Sequence, residues 1–389
     1  MKKIIEQLVI SANLFDESGA LNHADILDSI LIQLASQKKD TADFDPDSPT
    51  GDGIYCLPHT TEQAHVVIIP VPFEATVSYR TGTARGPEAI FAASRQVDLR
   101  DADAGRPYEA GIAMEEAPEW MTELNRVART HAIKCIQAQE NGNQLNNKNT
   151  RIVDKAGKCV NLWVKKRVTE LLEDGKLPVI IGGDHSAPFG AIIACQESIG
   201  KRSLGILHLD AHCDLRDSYE GFRWSHASIM KNVLDTCPRI KLVQFGIRDF
   251  SDSEAEIVKK DPRIKTYFDA ELREARLDGS FKKIANKIIE DLPDDVYLSF
   301  DIDGLDPILC PSTGTPVPGG ISFDEIIYIL KILAESGKRI IGLDLVEVAP
   351  PADCANENLE NCWDANVGAR LLYKMIGFSL ISNGKIPVI

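Results

Sequence analysis

Three short strings of this chain carry acidic and imidazole side chains that are suited to holding metal ions. They are GGDHS at 182–186, LDAHCD at 209–214 and FDIDGLDP at 300–307. Carboxylates and neutral imidazoles favour divalent ions such as Mn, Ni, Fe or Zn over copper or iron–sulfur chemistry. The sequence therefore predicts a site for two divalent ions. The candidate ligands are His185, Asp210, His212, Asp214, Asp301 and Asp303.

The spacing of these residues predicts that strands deliver them. In ILHLDAHCD (206–214), every second residue from His208 onward is a His or an Asp, so these side chains share one face of an extended chain. Asp301 follows the apolar run VYLSF, and His185 follows VIIGGD. His208 lies upstream of the others, and we predict a buried, hydrogen-bonded histidine there rather than another ligand.

Apolar runs separated by long helical patterns predict the elements that position these residues. Alternating strands and helices are typical of a parallel sheet covered by helices on both faces, with ligands at the carboxyl ends of the strands. We therefore predict a three-layer α/β/α fold with a central parallel sheet. The predicted strands are 66–71, 177–183, 204–210, 241–247, 296–303 and 339–348.

The first part of the chain has a different pattern from the rest. Residues 1–38 carry amphipathic helical patterns, and the stretch DTADFDPDSPTGDGIY that follows is rich in Asp, Pro and Gly. We predict that residues 1–62 are a helical extension with a linker and that residues 63–389 are the catalytic domain. The extension would pack on its own core or on a neighbouring subunit.

Composition limits the classes of function. No segment of the 389 residues reaches the roughly 18 uninterrupted apolar residues of a membrane span. Nine cysteines, an odd number with no CxxC pair, indicate reduced thiols, so we predict a soluble, cytoplasmic protein. The formal net charge of −15 argues against nucleic acid or an anionic membrane as a partner and favours a cationic substrate.

The charge of the loaded site favours the same kind of substrate. Four Asp residues supply −4 and two divalent ions +4, so one shared hydroxide leaves a net charge of −1. Glu347, in LDLVEVAP after a later strand, adds another negative charge and could receive a planar cation through paired hydrogen bonds. A guanidinium group fits this description.

Five strings, GGDHS, DAHCD, SFDIDGLDP, TGTPVPGG and GLDLVEVAP, together resemble the ureohydrolase family, which includes arginase and agmatinase. The resemblance spans about residues 64 to 378 and implies an arginase-like fold. It also implies that Asp210 and Asp301 bridge two ions, while His185 and Asp214 complete one ion site and His212 and Asp303 the other. The implied reaction is hydrolysis of a guanidino compound to urea and ammonia or an amine.

The resemblance extends to residues that would act on the substrate. Asp214 would orient the attacking hydroxide, and His226 in RWSHAS matches a proton-shuttling histidine. Thr315 in TGTPVPGG resembles a residue that steadies the substrate, and Glu347 would bind its guanidinium group. Trp224 is a further candidate for the substrate pocket. So is Trp363, for which packing at a helix start is the alternative.

The loop after Asp214 decides the substrate in relatives, and here it reads LRDSYEGFRWSHAS. An arginase would be expected to carry Asn, Ser and Thr donors there for the carboxylate of its amino acid, whereas this loop is bulky, with Tyr219, Phe222 and Trp224. Arg216 and Arg223 would repel the ammonium tail of agmatine unless Asp217 or Glu220 intervenes. We therefore predict free guanidine ahead of agmatine, with guanidinobutyrate third.

Other readings remain open at this point. A single-zinc deacetylase on a related fold needs only one metal, whereas a two-metal phosphoesterase calls for Arg and Lys around the ions. A non-enzymatic relative would lack a ligand, and none is missing. Mn is the usual metal of the family, but the same donors bind Ni more tightly, so the choice between them would depend on metal supply or on a metal-delivery protein. Relatives form trimers and hexamers, so we expect a homotrimer or homohexamer.

Overall fold

The computed structural model describes residues 44–352, 354 and 359–388. The helical pattern predicted for residues 1–38 lies outside these residues. Asp45–Ile389 forms one compact unit. This unit includes Ile54–Cys56, where Tyr55 is buried against the ring of Tyr373 at 4.8 Å. The predicted division into residues 1–62 and 63–389 remains a prediction.

A single parallel sheet of eight strands runs through the described residues. The strands are β1 Val66–Val71, β2 Ile112–Met114, β3 Leu177–Gly182, β4 Leu204–Leu209, β5 Lys241–Ile247, β6 Ile264–Phe268, β7 Asp295–Asp301 and β8 Arg339–Val346. Their order in the sheet is β2-β1-β3-β8-β7-β4-β5-β6, and every pairing is parallel. Strands β1, β3, β4 and β7 are buried along their whole length, as expected for a sheet covered on both faces.

Ten α-helices of the described chain cover this sheet. They are α1 Gly86–Ser94, α2 Glu119–Glu140, α3 Asn147–Glu173, α4 Phe189–Ser198, α5 Ile229–Thr236, α6 Asp252–Lys260, α7 Asp269–Leu277, α8 Phe281–Glu290, α9 Phe323–Glu335 and α10 Trp363–Ser382. Helices α2 to α5 contact one another in succession, and α7, α8, α9, α10 and α1 form a second such series. The predicted three-layer α/β/α fold is confirmed. Among the described residues, no helix combines the length and the apolarity needed to cross a bilayer.

Sequence capping signals fix where several of these helices begin. The side chains of Ser251 and Ser322 each accept a hydrogen bond from the backbone N–H three residues on. The side chains of Glu254 and Glu325 in turn accept the backbone N–H of the capping serine, which makes two complete capping boxes. All six predicted strands are present. The sequence reading missed β2 and β6, which are the two edge strands of the sheet.

Candidate active site

Four adjacent strands deliver the six predicted ligands and Glu347 to one edge of the sheet. Strands β3, β8, β7 and β4 are consecutive neighbours, and their carboxyl ends meet there. His185 follows β3, Asp210 follows β4 directly, Asp301 is the last residue of β7 and Glu347 follows β8 directly. Since parallel strands present all their carboxyl ends at one edge, short polar segments after each strand converge.

The first cluster gathers around the imidazole of His185. Its Nδ1 lies 3.0 Å from Asp210 Oδ2, 3.0 Å from Asp214 Oδ2 and 3.3 Å from Asp301 Oδ2. These four side chains are almost completely shielded from solvent. One ring nitrogen and three carboxylate oxygens therefore face a common point.

The second cluster shares Asp210 with the first. His212 Nδ1 lies 3.4 Å from Asp210 Oδ1 and 3.2 Å from Asp303 Oδ2. Asp210 thus directs one oxygen towards each histidine, which is the arrangement expected of a bridging carboxylate. The structure brings all six predicted ligands together.

The donor set fits two divalent cations. Burial and the neighbouring charge of Asp210 raise the pKa of Asp214 to about 7. Burial and repulsion from Asp303 raise the pKa of Asp301 well above its usual value. Although burial alone would lower the pKa of His185, the surrounding carboxylates raise it well above its usual value. These shifts show that the clustered carboxylates carry more negative charge than the neighbouring groups neutralise. Oxygen and imidazole donors around uncompensated negative charge suit divalent ions.

His208 is buried and hydrogen-bonded, as predicted. Gln244 Nε2 donates to the carbonyl oxygen of Cys213 at 2.8 Å and lies 2.9 Å from His208 Nδ1. Nδ1 is therefore the acceptor, and Nε2 carries the proton that is donated to Asp210 Oδ2 at 2.9 Å. Although its donor atoms lie close to those of His185, Asp210 and Asp214, His208 orients Asp210 in this arrangement.

Asp214 and Glu347 adopt left-handed backbone conformations, with φ of 54° and 61°. For residues other than glycine such conformations cost about 1–3 kcal/mol each, and they concentrate at functional sites. Glu347 adopts this conformation directly after β8, and Asp214 adopts it in the loop after β4. Backbone hydrogen bonds hold the Glu347 turn, with the amide donating to Gly183 O at 2.9 Å and Thr313 Oγ1 donating to the Glu347 carbonyl at 2.8 Å.

Glu347 and Thr315 lie beside the clusters, as their predicted roles require. Glu347 Oε1 accepts the backbone N–H of His185 at 2.9 Å, and burial together with the charges of Asp301 and Asp184 raises its pKa well above the usual range. Thr315 Oγ1 donates to Asp303 Oδ2 at 3.2 Å. Both residues line a cavity of about 170 Å³ that the clusters open into.

His226 lines the same cavity. Burial, reinforced by the nearby His212 and His185, lowers the pKa of His226 to about 3. Its ring packs edge to face on Tyr219, with centroids 5.8 Å apart. The imidazole is therefore neutral near pH 7.

The loop after Asp214 places its side chains differently from the prediction. Tyr219 and Arg216 line the cavity, and the Arg216 guanidinium carbon lies 4.9 Å from the Tyr219 ring centroid. Trp224 turns away and packs on Phe189 at 4.9 Å between ring centroids. A Cβ atom at Gly157 of α3 would approach Trp224 Cβ to 2.8 Å, so this indole fills a helix interface.

Trp363 also lies away from the cavity wall. Its side chain is 53% exposed, and its indole N–H donates to the carbonyl of Ile308 at 3.1 Å. It starts α10, so its position agrees with the alternative of packing at a helix start. The substrate-pocket predictions for Trp224 and Trp363 gain no support from this geometry.

Arg248, which the sequence analysis did not identify, is hydrogen-bonded to the loops that carry Asp303 and Thr315. Its guanidinium donates to the carbonyl oxygens of Asp303 at 2.6 Å and Val317 at 2.9 Å. It also reaches the carbonyls of Gly246, Gly304 and Leu305. In the sequence, Arg248 stands in FGIRDF directly after β5, and this position at a strand end is the signal that could have identified it.

We expect Arg248→Lys to lower urea release and metal affinity about 10- to 100-fold, the usual effect of losing a partner that orients a metal ligand. A lysine ammonium has three donors and no planar fork, so it cannot span these carbonyls. Metal titration of the purified variant measures the change. Arg239→Lys, on an exposed arginine that contacts Gly200 O at 3.2 Å, is the matched control. Unchanged metal affinity in Arg248→Lys would remove Arg248 from this role.

Comparisons with known proteins agree with the site. Residues 64–377 match the arginase family. The chain is 31% identical over 328 residues to an N(1)-aminopropylagmatine ureohydrolase of Thermus thermophilus, covering 83% of this chain and 93% of the relative. It is 32% identical over 297 residues to agmatinase of Bacillus anthracis, covering 76% and 87%.

Solved structures support the fold. The agmatine ureohydrolase of Thermoplasma volcanium superposes with a TM-score of 0.64 at 24% identity, over 86% of this chain and 96% of that one. Arginase from Bacillus subtilis gives a TM-score of 0.59 at 24% identity, over 81% and 98%. The family match covers most of the chain, and its buried His and Asp cluster is in place. The chain therefore belongs to the arginase family and is a ureohydrolase, a hydrolase of C–N bonds in guanidino compounds.

Proposed function

We propose that this ureohydrolase uses two divalent ions to release urea from a very small guanidino compound, with free guanidine ahead of agmatine and guanidinobutyrate third. The observation that carries the proposal is the cavity of about 170 Å³. Sites for drug-sized ligands span roughly 300–1,000 Å³. Arg216 and Tyr219 form part of the cavity wall, so a cationic tail would meet a like charge there.

The residues of the cavity would act on the guanidinium group as follows. His185, Asp210, His212, Asp214, Asp301 and Asp303 would hold the two ions. Two divalent ions held by these residues would supply the nucleophile, an activated water. The carboxylate of Glu347 binds the planar cation by charge-assisted hydrogen bonds and fixes its orientation. Asp214 orients the attacking group, and Thr315 steadies the substrate.

His226 is suited to moving the proton that the departing nitrogen requires. It enters the reaction as a neutral imidazole, in which one ring nitrogen carries a proton to give and the other has a lone pair that can receive one. Its place in the cavity wall keeps it within the enclosed space. We propose this shuttle role on the geometry and on the matching RWSHAS string.

Agmatine is the main alternative, since both named relatives above act on agmatine or a derivative of it. Asp217 and Glu220 do not offset Arg216, because Asp217 pairs with Lys231 at 3.2 Å and Glu220 lies beside Arg129. Glu254 lies 3.7 Å from Arg216 and offsets part of its charge, and it also accepts hydrogen bonds that cap α6. The exposed Asp249 lines the cavity too, and it is the group that an ammonium tail would use.

A steady-state assay of urea release from guanidine, agmatine, arginine and guanidinobutyrate tests the substrate. We expect the highest kcat/KM with guanidine and very little turnover of arginine. A kcat/KM for agmatine a hundredfold above that for guanidine would overturn the preference and leave an agmatinase.

Arg216 should disfavour substrates that carry a cationic tail. We expect Arg216→Leu to raise kcat/KM for agmatine relative to guanidine about tenfold, because two like charges a few ångströms apart near a protein surface repel by a few kcal/mol before solvent screening. Arg223→Leu is the matched control, since Arg223 stacks on Trp224 at 5.3 Å and does not line the cavity. An unchanged substrate ratio in Arg216→Leu would show that this arginine does not select the substrate.

Further properties follow from the family and the donor set as proposals. We propose Mn or Ni as the metal, with a metal-delivery protein if it is Ni, because His and Asp donors accept both ions. We also propose a homotrimer or homohexamer in the cytoplasm. Metal counting separates this proposal from a single-metal deacetylase, which would hold one ion per subunit.

A further inference from the structure

Thr76 lies behind His226, in the segment between β1 and α1. Its side chain is 1% exposed. Its hydroxyl oxygen lies 3.1 Å from His226 Nδ1 and 3.1 Å from Asp184 Oδ2. The same oxygen accepts the backbone N–H of His226 at 3.2 Å. Thr76 therefore joins the proposed proton-shuttling residue to a fully buried carboxylate.

The direction of these hydrogen bonds follows from the number of donors. A threonine hydroxyl has one proton and two lone pairs. Carboxylates are stronger acceptors than neutral imidazoles, so the proton of Thr76 points to Asp184. Both lone pairs then face His226, one towards its backbone N–H and one towards Nδ1. For the second contact to be a hydrogen bond, Nδ1 must carry the ring proton.

The surroundings hold Thr76 and Asp184 in place. Arg129 of α2 donates to the carbonyl oxygens of Ala75 and Val77, on either side of Thr76. Asp184 Oδ1 accepts both the backbone N–H and the hydroxyl of Ser186, and Oδ2 also accepts the backbone N–H of Thr76 at 3.3 Å. The carboxylate is thus satisfied by donors alone.

We infer that Thr76, held by Asp184, is a positioning residue that fixes His226 in the tautomer with Nδ1 protonated, so that Nε2 is the basic nitrogen available to the reaction. Ser225 Oγ is another hydroxyl near Nδ1, but at 3.4 Å it is the longer contact, and beside the lone pair that accepts the N–H of Ala227 it has a second one that can accept from a protonated Nδ1. The inference rests on the proposed role of His226.

Thr76→Val tests this arrangement, because valine has nearly the same shape and lacks the hydroxyl. General acid–base catalysis contributes about 10²–10⁴-fold, and we expect Thr76→Val to lose about 10- to 100-fold in kcat with an unchanged KM for the best substrate and unchanged bound metal. Thr76→Ser restores the hydroxyl and should return most of the rate. A normal kcat in Thr76→Val, or no recovery in Thr76→Ser while the protein binds its full metal, would overturn the inference.

A double-mutant cycle with His226→Ala separates positioning from a general structural effect. If Thr76 acts through His226, adding Thr76→Val to His226→Ala lowers kcat no further. Losses that multiply in the double variant would overturn the positioning role. If His226→Ala alone keeps the wild-type rate, the proposed function of His226 fails. If His226→Ala is slow but Thr76→Val is normal, only the role of Thr76 fails.

Discussion

Replacing Asp301 by Asn should reduce urea release at least about 1,000-fold and lower the metal bound per subunit. Asp301 is the last residue of β7, and its Oδ2 lies 3.3 Å from His185 Nδ1. Its predicted role is to bridge both ions. An amide has nearly the same shape but no negative charge, so the site would lose charge where divalent ions are held. Losing several kcal/mol of the transition-state stabilisation that the bound ions provide corresponds to a rate decrease of about 1,000-fold. Metal analysis and a urea assay on the same preparation measure both effects.

Asp306→Asn is the matched control for that experiment. Asp306 lies in the same FDIDGLDP string, but it is exposed, and the contact of its Oδ1 with the N–H of Ile308 at 3.0 Å survives in an amide. It should leave activity and metal content unchanged. Normal activity with a full metal complement in Asp301→Asn would contradict the assignment of the site.

Glu347→Gln should lower kcat/KM about 100- to 1,000-fold while metal content stays normal. The amide oxygen can still accept the N–H of His185, which contacts Oε1 at 2.9 Å, so the local structure is preserved. The negative charge for the guanidinium is lost. A hydrogen bond to a charged group contributes about 1.5–3 kcal/mol, and two such bonds account for the upper part of this range.

The kinetic parameters of Glu347→Gln show how the side chain acts. Loss of binding to the substrate and the transition state alike would appear as a raised KM, whereas loss of orientation would appear mainly in kcat. Glu335→Gln, at the exposed end of α9, makes the same chemical change away from the site and should have no effect. An unchanged kcat/KM in Glu347→Gln would exclude it as the guanidinium partner.

The sequence predicted the centre of the sheet better than its edges. Central strands such as β3 and β4 are buried on both faces, so they read as uninterrupted apolar runs. The edge strand β6 (IKTYF) is only partly buried, and β2 has three residues. An edge strand pairs on one side and needs less apolar sequence, so these two gave no comparable pattern.

The ligand set was predictable because consecutive strand ends must meet, whereas the substrate loop was not. Glu220 and Gly221 both have positive φ, 53° and 85°, and the turn from Tyr219 to Phe222 reverses the chain there. This reversal leaves Tyr219 at the cavity and sends Trp224 to the helices. Bulky residues in a loop predict a filled pocket only when the direction of each side chain is known, and that direction depends on the turn.

Residues that act through a neighbour were missed for a different reason. Thr76 is distant in sequence from His226, and only the packing of the segment after β1 against the loop after β4 brings the two together. Asp184 stands inside GGDHS, beside a predicted ligand, but its contacts with Thr76 and Ser186 cannot be read from the string. Hydrogen-bond partners from separate loops carry no periodic signal.

The most direct test of the central claim is urea release from guanidine as a function of metal bound per subunit, measured on stripped protein reloaded separately with Mn and with Ni. The two clusters share Asp210, so catalysis should require both sites to be filled. The account predicts that activity stays low up to one equivalent and rises with the second. Full activity at one equivalent, or no urea at two equivalents of either metal, would contradict it.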